Sequence, residues 1–332
     1  MARKSCGRIT GCCGIVGQLN HLLRAAKIKA HNRGFIKVET LEDVTMDAVT
    51  ESTYIVYETP EDGIARIVLN RPETANAQDT QFLYELNAAF ERAARDEDIR
   101  VIILAANGKH FSSGHDLAEK NAQENMHNHD TVGTMCGFTC AGAEAQMSRE
   151  EEIYVGFSER WRNIPKPTIA AVQGKCIAGG LMLAWPCDLI IATDDASFTD
   201  PTVSFGVGGV EYFAHLWEVG ARKAKEMLFT SDSLSAEDAF RLGMVNKVVP
   251  RDELQEASMI MARKIASKSR FALKLTKKAI NASQDAQGRD IAMQNAFHLH
   301  QLAHTHWLKL YDLLLDPSGL PEATRKALGF DK

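Results

Sequence analysis

The stretch from Ile164 to Gly209 constrains this chain most. Pro165 and Pro167 precede a short apolar run, Thr168 to Val172. A glycine-marked turn follows, Gly174 to Gly180, and leads into Leu181 to Trp185, which reads as a buried helix. Leu189 to Ala192 is the next strand. A strand, a glycine loop and a helix start in that order aim free backbone N–H groups at one point. Such a point can hold an anion or a developing oxyanion.

The flanking sequence repeats the theme. Tyr54 to Glu58 alternates apolar and polar residues, Glu61-Asp62-Gly63 is a turn signal, and Ile64 to Leu69 is the partner strand of a hairpin. Thr80 to Arg95 has helical periodicity, with Asp79 as its cap. Val101 to Ala105 is short and continuously apolar, as a parallel strand would be. Residues 107–117 form a second small-residue loop after a strand. Ala118 to Met147 is polar and weakly patterned, and reads as a mobile segment or broken helices. Ser148 to Ile164 is helical, with Ile153, Phe157 and Trp161 on one face. From Ala221 onward the chain is nearly all helix, and Ser235-Ala236-Glu237-Asp238 is a capping pattern. Strand–loop–helix units followed by helices favour an α/β fold with parallel strands.

Composition narrows the function classes. A net charge of -5 argues against a general nucleic-acid binder. No apolar run approaches the length of a membrane span. Seven irregularly placed cysteines, without framework spacing, point to a reducing compartment. No strand is followed by a dinucleotide fingerprint or a Walker A loop, and Gly206-Val207-Gly208-Gly209 matches neither.

The first 38 residues carry eight Lys/Arg and no acid. They read as a loosely attached extension, or as sequence upstream of a start at Met46; a mitochondrial transit peptide is the alternative. The expected organisation is therefore a basic extension over 1–50, a core over 51–250 and a helical region over 251–332, in a cytoplasmic protein unless the leader directs it to mitochondria.

Several short signatures occur in order: Asn70-Arg71-Pro72 with Asn76-Ala77, then Phe111-Ser112-Ser113-Gly114-His115-Asp116, then Lys166 to Gly174. Ala178-Gly179-Gly180, Cys187-Asp188, Phe198 with Pro201, and Leu242-Gly243-Met244-Val245 complete the set. By these signatures the chain resembles the enoyl-CoA hydratase/isomerase (crotonase) superfamily from about Tyr54 to Leu275. The resemblance implies an α/β spiral of repeated ββα units with a helical C-terminal trimerisation region. It implies a homotrimer, or a hexamer as a dimer of trimers. It also implies an acyl-CoA thioester substrate, with coenzyme A present as part of the substrate and no prosthetic group or metal. The thioester carbonyl would sit between the backbone N–H groups of His115 and Gly179. Ala75, Ala77, Ser113, Asp116, Leu117 and Lys175 would hold the coenzyme A portion.

The chain departs from the family where hydratases carry two glutamates: those positions match Met182 and Thr202. Neither side chain can move a proton, so another group must. Glu211 and Asp200 are the carboxylate candidates, with a helix-dipole acid and a turn cap as their structural alternatives. The His115 ring, and His127 or His129 in the polar segment, are further candidates. Asp116 is expected to brace its loop, and Cys176 to pack in the core. His300 and His304 share a helix face, but no neighbouring carboxylate joins them in sequence, so surface or trimer-interface packing is expected.

Three reactions fit: hydration of an unusual enoyl-CoA, isomerisation by one base, or hydrolytic or retro-Claisen cleavage of a β-keto acyl-CoA. A non-catalytic acyl-CoA binder is the reading from another class. Met182, Phe205, Val207, Tyr212 and Phe213 predict an apolar acyl region suited to a bulky, cyclic or long group.

Overall fold

Short apolar runs that pair in parallel build the frame. The computed structural model describes residues 54–330, apart from 135, 321 and 328. The expected 1–50 extension, Met46 and Cys6, Cys12 and Cys13 lie outside the described residues. The strands are β1 (Ile55–Glu61), β2 (Ile64–Leu69), β3 (Val101–Ala106), β4 (Thr168–Val172), β5 (Lys175–Ile177), β6 (Leu189–Thr193), β7 (Ser197–Thr199), β8 (Leu234–Ser235) and β9 (Lys247–Val249). Six of them form a sheet in the order β1-β2-β3-β4-β6-β9. Only the β1–β2 hairpin is antiparallel in it, and every other pairing is parallel.

A second, smaller sheet runs β5-β7-β8. Isolated parallel bridges, Ser112 to Cys176 and Gln78 to His115, continue its edge. Each pass through the large sheet is thus followed by a short extended piece in the small one: Gln78 after β2, Ser112 to His115 after β3, β5 after β4, and β7 after β6. That repetition is the expected spiral, read directly from strand pairing.

Helices fill the turns. They are α1 (Thr80–Arg95), α2 (Ala122–Asn125), α3 (Glu144–Glu150), α4 (Phe157–Arg162), α5 (Leu181–Ala184), α6 (His215–Thr230), α7 (Ala236–Leu242), α8 (Leu254–Ala266), α9 (Arg270–Ala286), α10 (Arg289–Tyr311) and α11 (Glu322–Ala327). Asp79 caps α1 by accepting from the Phe82 amide, a bond worth about 1 kcal/mol. Ser235 caps α7 in the same way through Asp238. The main core lies on the inner face of the sheet, where Phe82, Leu86 and Phe90 of α1 meet Phe157 and Trp161 of α4. The other face is covered by α8, whose Ala257, Met259 and Ala262 pack on Ile103, Ile169 and Ile191. The described residues from Tyr54 onward cluster as one compact unit, with α8 completing the sheet's burial across residue 250.

Two features matter for the site. A π-helical turn, Glu151–Gly156, joins α3 to α4, so the predicted Ser148 to Ile164 helix is longer and carries an irregularity. The polar segment before it consists of broken helical pieces anchored by buried Met126 and Phe138. Buried Glu152 accepts from the amides of Val132, Gly133 and Thr134, and so fastens that segment to the helix.

Candidate active site

The site starts from two loops that approach each other closely. Asn76 sits at φ 54° and is fully buried. Its Nδ2 donates to the carbonyls of Asn107, His110 and Phe111, and its Oδ1 accepts from the Arg71 amide. Gln78 donates to Ser112 Oγ at 2.9 Å, and Ser112 donates to the Asn76 carbonyl at 2.8 Å. These bonds fix the 112–116 loop. Asp116 braces it further, pairing with Arg71 at 3.3 Å and accepting from the Ala118 amide.

Gly114 brings this loop onto the 177–180 turn. Its φ is +90°, and a Cβ there would lie 2.9 Å from the Gly179 nitrogen and 2.8 Å from the Ile177 carbonyl. The Gly114 carbonyl and Asp116 amide both bond to Gln78, so by strand alternation the intervening His115 amide faces away from Gln78. Gly179 lies in the 3₁₀ turn Ala178–Gly180, whose first amides have no acceptor inside the turn. Gly179 is also required by its neighbours: a Cβ would fall 2.6 Å from His115 Cδ2 and 3.0 Å from Gln78 Oε1.

These loops open into a cavity of about 390 Å³. Ser113, His115, Asp116 and Leu117 line one side, with Ile177 and Ala178; Pro201, Thr202, Phe205, Val207 and Glu211 line another. Further lining comes from Arg149, Glu150 and Tyr154, and from the C-terminal residues His300, His304, Leu314 and Leu315. The C-terminal part is held there by Trp307, which donates to the Gly206 carbonyl at 2.8 Å, and by the Asp316 amide on the Phe205 carbonyl.

Glu211 is 3 % exposed. Its Oε1 lies 3.2 Å from His300 Nε2, and its Oε2 lies 3.8 Å from His115 Nε2. Among the described residues, Glu211 Oε2, His115 Nε2 and Gln78 Oε1 are buried polar atoms with no hydrogen-bond partner. Such atoms are costly unless something else satisfies them. The His115 ring stacks on Tyr154 at 3.8 Å. Burial pushes the His115 pKa below that of free imidazole, against the pull of Glu211. Burial raises the Glu211 pKa, but His115 and His300 outweigh it and hold the carboxyl below its usual range.

Behind Glu211 lies a group that sequence reasoning did not assemble. His300 and His304 are 5 % and 6 % exposed, so they are neither surface residues nor free for an interface, contrary to expectation. Glu150 joins them, with Oε1 3.3 Å from His304 Nε2. Burial disfavours ionised Glu150, yet the His304 hydrogen bond and both imidazole rings hold its pKa down to about 2. Burial works against protonated His300, and Glu211 and Glu150 overcome it and hold the ring up to about 9. One signal for Glu150 was present in the sequence: it lies three residues before Ile153, on the apolar stripe of its helix.

The other expectations divide. Asp200 is corrected: it is wholly buried and accepts from the Thr202 amide and hydroxyl, the Val210 amide and His215. It braces the 200–215 loop and does not line the cavity. His127 and His129 pack on Phe138 and Tyr84, away from Glu211. Cys176 is buried, and burial alone pushes its thiol up, as an inert core cysteine. Phe205 and Val207 line the cavity, whereas Met182, Tyr212 and Phe213 do not. Met182 is core; the cavity wall is mainly apolar, through Leu117, Ile177, Phe205, Val207, Leu314 and Leu315, with the ionic groups gathered at Glu150, Glu211, His300 and His304. Ala75 sits at the margin, its carbonyl accepting from the Ser113 amide at 2.9 Å. Ala77 is buried and Lys175 is exposed, and neither lines the cavity.

Comparison with known proteins places this geometry in context. The sequence profile of the enoyl-CoA hydratase/isomerase family matches residues 59–309. EchA13 of Mycobacterium tuberculosis is 45% identical over 266 residues, 77% of this chain and 82% of that one. The mitochondrial enoyl-CoA hydratase domain-containing protein 3 of Rattus norvegicus is 37% identical over 218 residues, 65% of this chain and 67% of that one. The crystal structure of a probable enoyl-CoA hydratase from Mycobacterium smegmatis superposes with a TM-score of 0.71 at 49% identity, covering 79% of this chain and 99% of the other.

Proposed function

Because the chain belongs to the enoyl-CoA hydratase/isomerase family, we propose that it is an acyl-CoA-processing enzyme of the hydratase type in which Glu211 handles the proton. The free, buried Oε2 of Glu211, facing the cavity beside the 113–115 and 177–179 loops, is the observation that carries this reading. In the proposed reaction the thioester carbonyl accepts from the amides of His115 and Gly179. Glu211 takes a proton from water as the water oxygen bonds to Cβ of the enoyl group. The displaced electron pair passes to the thioester oxygen, where two amides stabilise it. The proton then returns to Cα, and the double bond has gained one water. His115 Nε2 and Glu211 Oε2, 3.8 Å apart, can share that water.

Isomerisation is the second reading. It needs one carboxylate that removes a proton and returns it elsewhere, and Glu211 alone has a free oxygen among the cavity's carboxylates in the 150 and 211 positions. In this reading Ser113, Asp116 and Leu117, which line the cavity, hold the coenzyme A portion, whereas Ala75, Ala77 and Lys175 do not line it. The exposed Phe271, Leu275, Ile280, Ile291, Leu299 and Leu302 of α9 and α10 support a homotrimer or a pair of trimers. Among the described residues no helix is long and apolar enough to cross a membrane.

A panel of enoyl-, 3-hydroxyacyl- and β-keto acyl-CoA thioesters tests the proposal. Wild-type protein should turn over at least one enoyl- or 3-hydroxyacyl-CoA, and Glu211→Gln should lose about 10²–10⁴-fold in kcat while still binding coenzyme A. Turnover of β-keto thioesters alone would favour cleavage chemistry. Binding without any turnover would favour the non-catalytic reading.

A further inference from the structure

We propose that Glu150, Glu211, His300 and His304 form a two-histidine, two-carboxylate site for a divalent first-row transition-metal ion. The argument begins with the two rings. His300 Nδ1 lies 2.8 Å from the Gly209 carbonyl, and His304 Nδ1 lies 2.6 Å from the Leu314 carbonyl. A carbonyl can only accept, so each ring carries a hydrogen on Nδ1. Both Nε2 atoms are thereby left to face each other, at 2.9 Å. Two bare lone pairs at that distance repel, so a proton or a cation belongs between them.

The carboxylates decide what kind of cation fits. Glu211 Oε1 is 3.2 Å from His300 Nε2, and Glu150 Oε1 is 3.3 Å from His304 Nε2. All four donor atoms lie within 4.8 Å of one another. Ligands about 2.1 Å from one ion are spaced by roughly 3.0–3.4 Å along tetrahedral or octahedral edges. The three shortest spacings, 2.9, 3.2 and 3.3 Å, lie in or beside that range, and the wider ones, up to 4.8 Å, would have to draw in around an ion. All four residues are buried, and an ion of charge +2 seated among their donor atoms would balance the two carboxylates. Arg149, at the same cavity, gives its hydrogen bonds to Glu119 at 2.8 Å, Thr80 and Tyr154 and has none to Glu150 or Glu211.

The surroundings are those of a ligand set held in place. Main-chain carbonyls fix both ring orientations, and Gln146 and Gln301 donate to the oxygens of Glu150. Metal-binding histidines and carboxylates use this kind of support. Glu211 Oε2 stays unpartnered and buried, pointing at the same cavity. Two imidazoles with two carboxylates select zinc, ferrous, cobaltous or manganous ions over magnesium and calcium. The site departs from the metal-free expectation set by the sequence; it shares Glu211 with the proposed reaction but does not rest on that reaction.

The test uses the full chain, purified without a metal-affinity step, assayed for metal by mass spectrometry, then stripped with chelator. Titration with Co²⁺ should give visible d–d absorption saturating near one ion per chain, and Zn²⁺ should displace it and raise Tm. Glu150→Gln and His304→Ala should each weaken Co²⁺ binding by about 100-fold, whereas His298→Ala, on the same helix, should leave it unchanged. Far- and near-UV circular dichroism checks that each variant folds, and the wild-type titration decides the matter alone if one does not. Absence of stoichiometric Co²⁺ or Zn²⁺ binding by the wild type would overturn the proposal and leave a shared proton between the rings. No thioester is present, so that failure would leave the proposed reaction standing, and a failed turnover panel would leave the metal site standing.

Discussion

His115 Nε2 and Glu211 Oε2 face each other across 3.8 Å, and neither has another partner among the described residues. If both bind one water, their removal should not be additive. His115→Ala keeps the backbone amide and should lower kcat by at least tenfold. The double variant with Glu211→Gln should be no slower than Glu211→Gln alone, because groups acting as a unit fail together. A double-mutant cycle on kcat/KM checks this, and simple additivity would show that the two act separately.

Gly179 offers a test that leaves every ionisable group in place. In Gly179→Ala the new methyl would meet the His115 ring at 2.6 Å and Gln78 at 3.0 Å. We expect a fall in kcat of about 10²–10³-fold from a displaced oxyanion donor. The overpacking should cost roughly 1–3 kcal/mol of stability. Steady-state kinetics with thermal denaturation reads both; unchanged kcat would argue against an amide at 179 in the reaction.

Asp200 governs stability and its dependence on pH. Burial raises its pKa, but His215, Thr202 and the Val210 amide outweigh burial and hold the folded-state value below the ordinary one. Its contribution is therefore complete above the unfolded-state pKa, about 3.9, and is lost as pH falls toward the folded value. Asp200→Asn should destabilise the fold by about 3–5 kcal/mol at pH 7, since it strips one partner from a buried pair. The Tm gap between wild type and variant should shrink from pH 5 to pH 3. A constant gap would mean that ionised Asp200 is not the stabilising form.

The exposed apolar residues of α10 predict assembly. Ile291 and Leu302 are 76% and 64% exposed, on one face of the helix. Ile291→Asp with Leu302→Asp should convert the oligomer to monomer while retaining helical content. Light scattering coupled to size exclusion reads the mass directly, and an unchanged mass would move the interface elsewhere.

Much of the fold was readable because its signals are local. The α1 boundaries follow from a cap and a period, and the parallel strands from short apolar runs. The pairing of the 115 and 179 loops was expected from the family resemblance, and the contact of Gly114 with Gly179 is what the structure adds to it. The ionic cluster was not expected. Its members come from α3, the loop before α6, and α10, and no single stretch shows that residues 150, 211, 300 and 304 converge. Asp200 looked available because it neighbours Thr202, yet local main-chain donors claim its oxygens before any substrate could. The predicted apolar acyl region held in part: Phe205 and Val207 line the cavity, whereas Met182, Tyr212 and Phe213 do not. Sequence names the residues near a turn without saying which way they face, and Met182 turned inward.

The π-helical turn at Glu151–Gly156 separates two jobs along one rod. Upstream of it Glu150 joins the ionic cluster, and downstream Phe157 and Trp161 fill the hydrophobic interior. Inserting or deleting a residue in a helix swings everything beyond it by about 100°. Shortening this rod by one would therefore leave the aromatic anchors seated and rotate the carboxylate out of register. The irregularity acts as a phase adjuster, through which a lineage could gain or lose the chemistry of position 150 without rebuilding the interior.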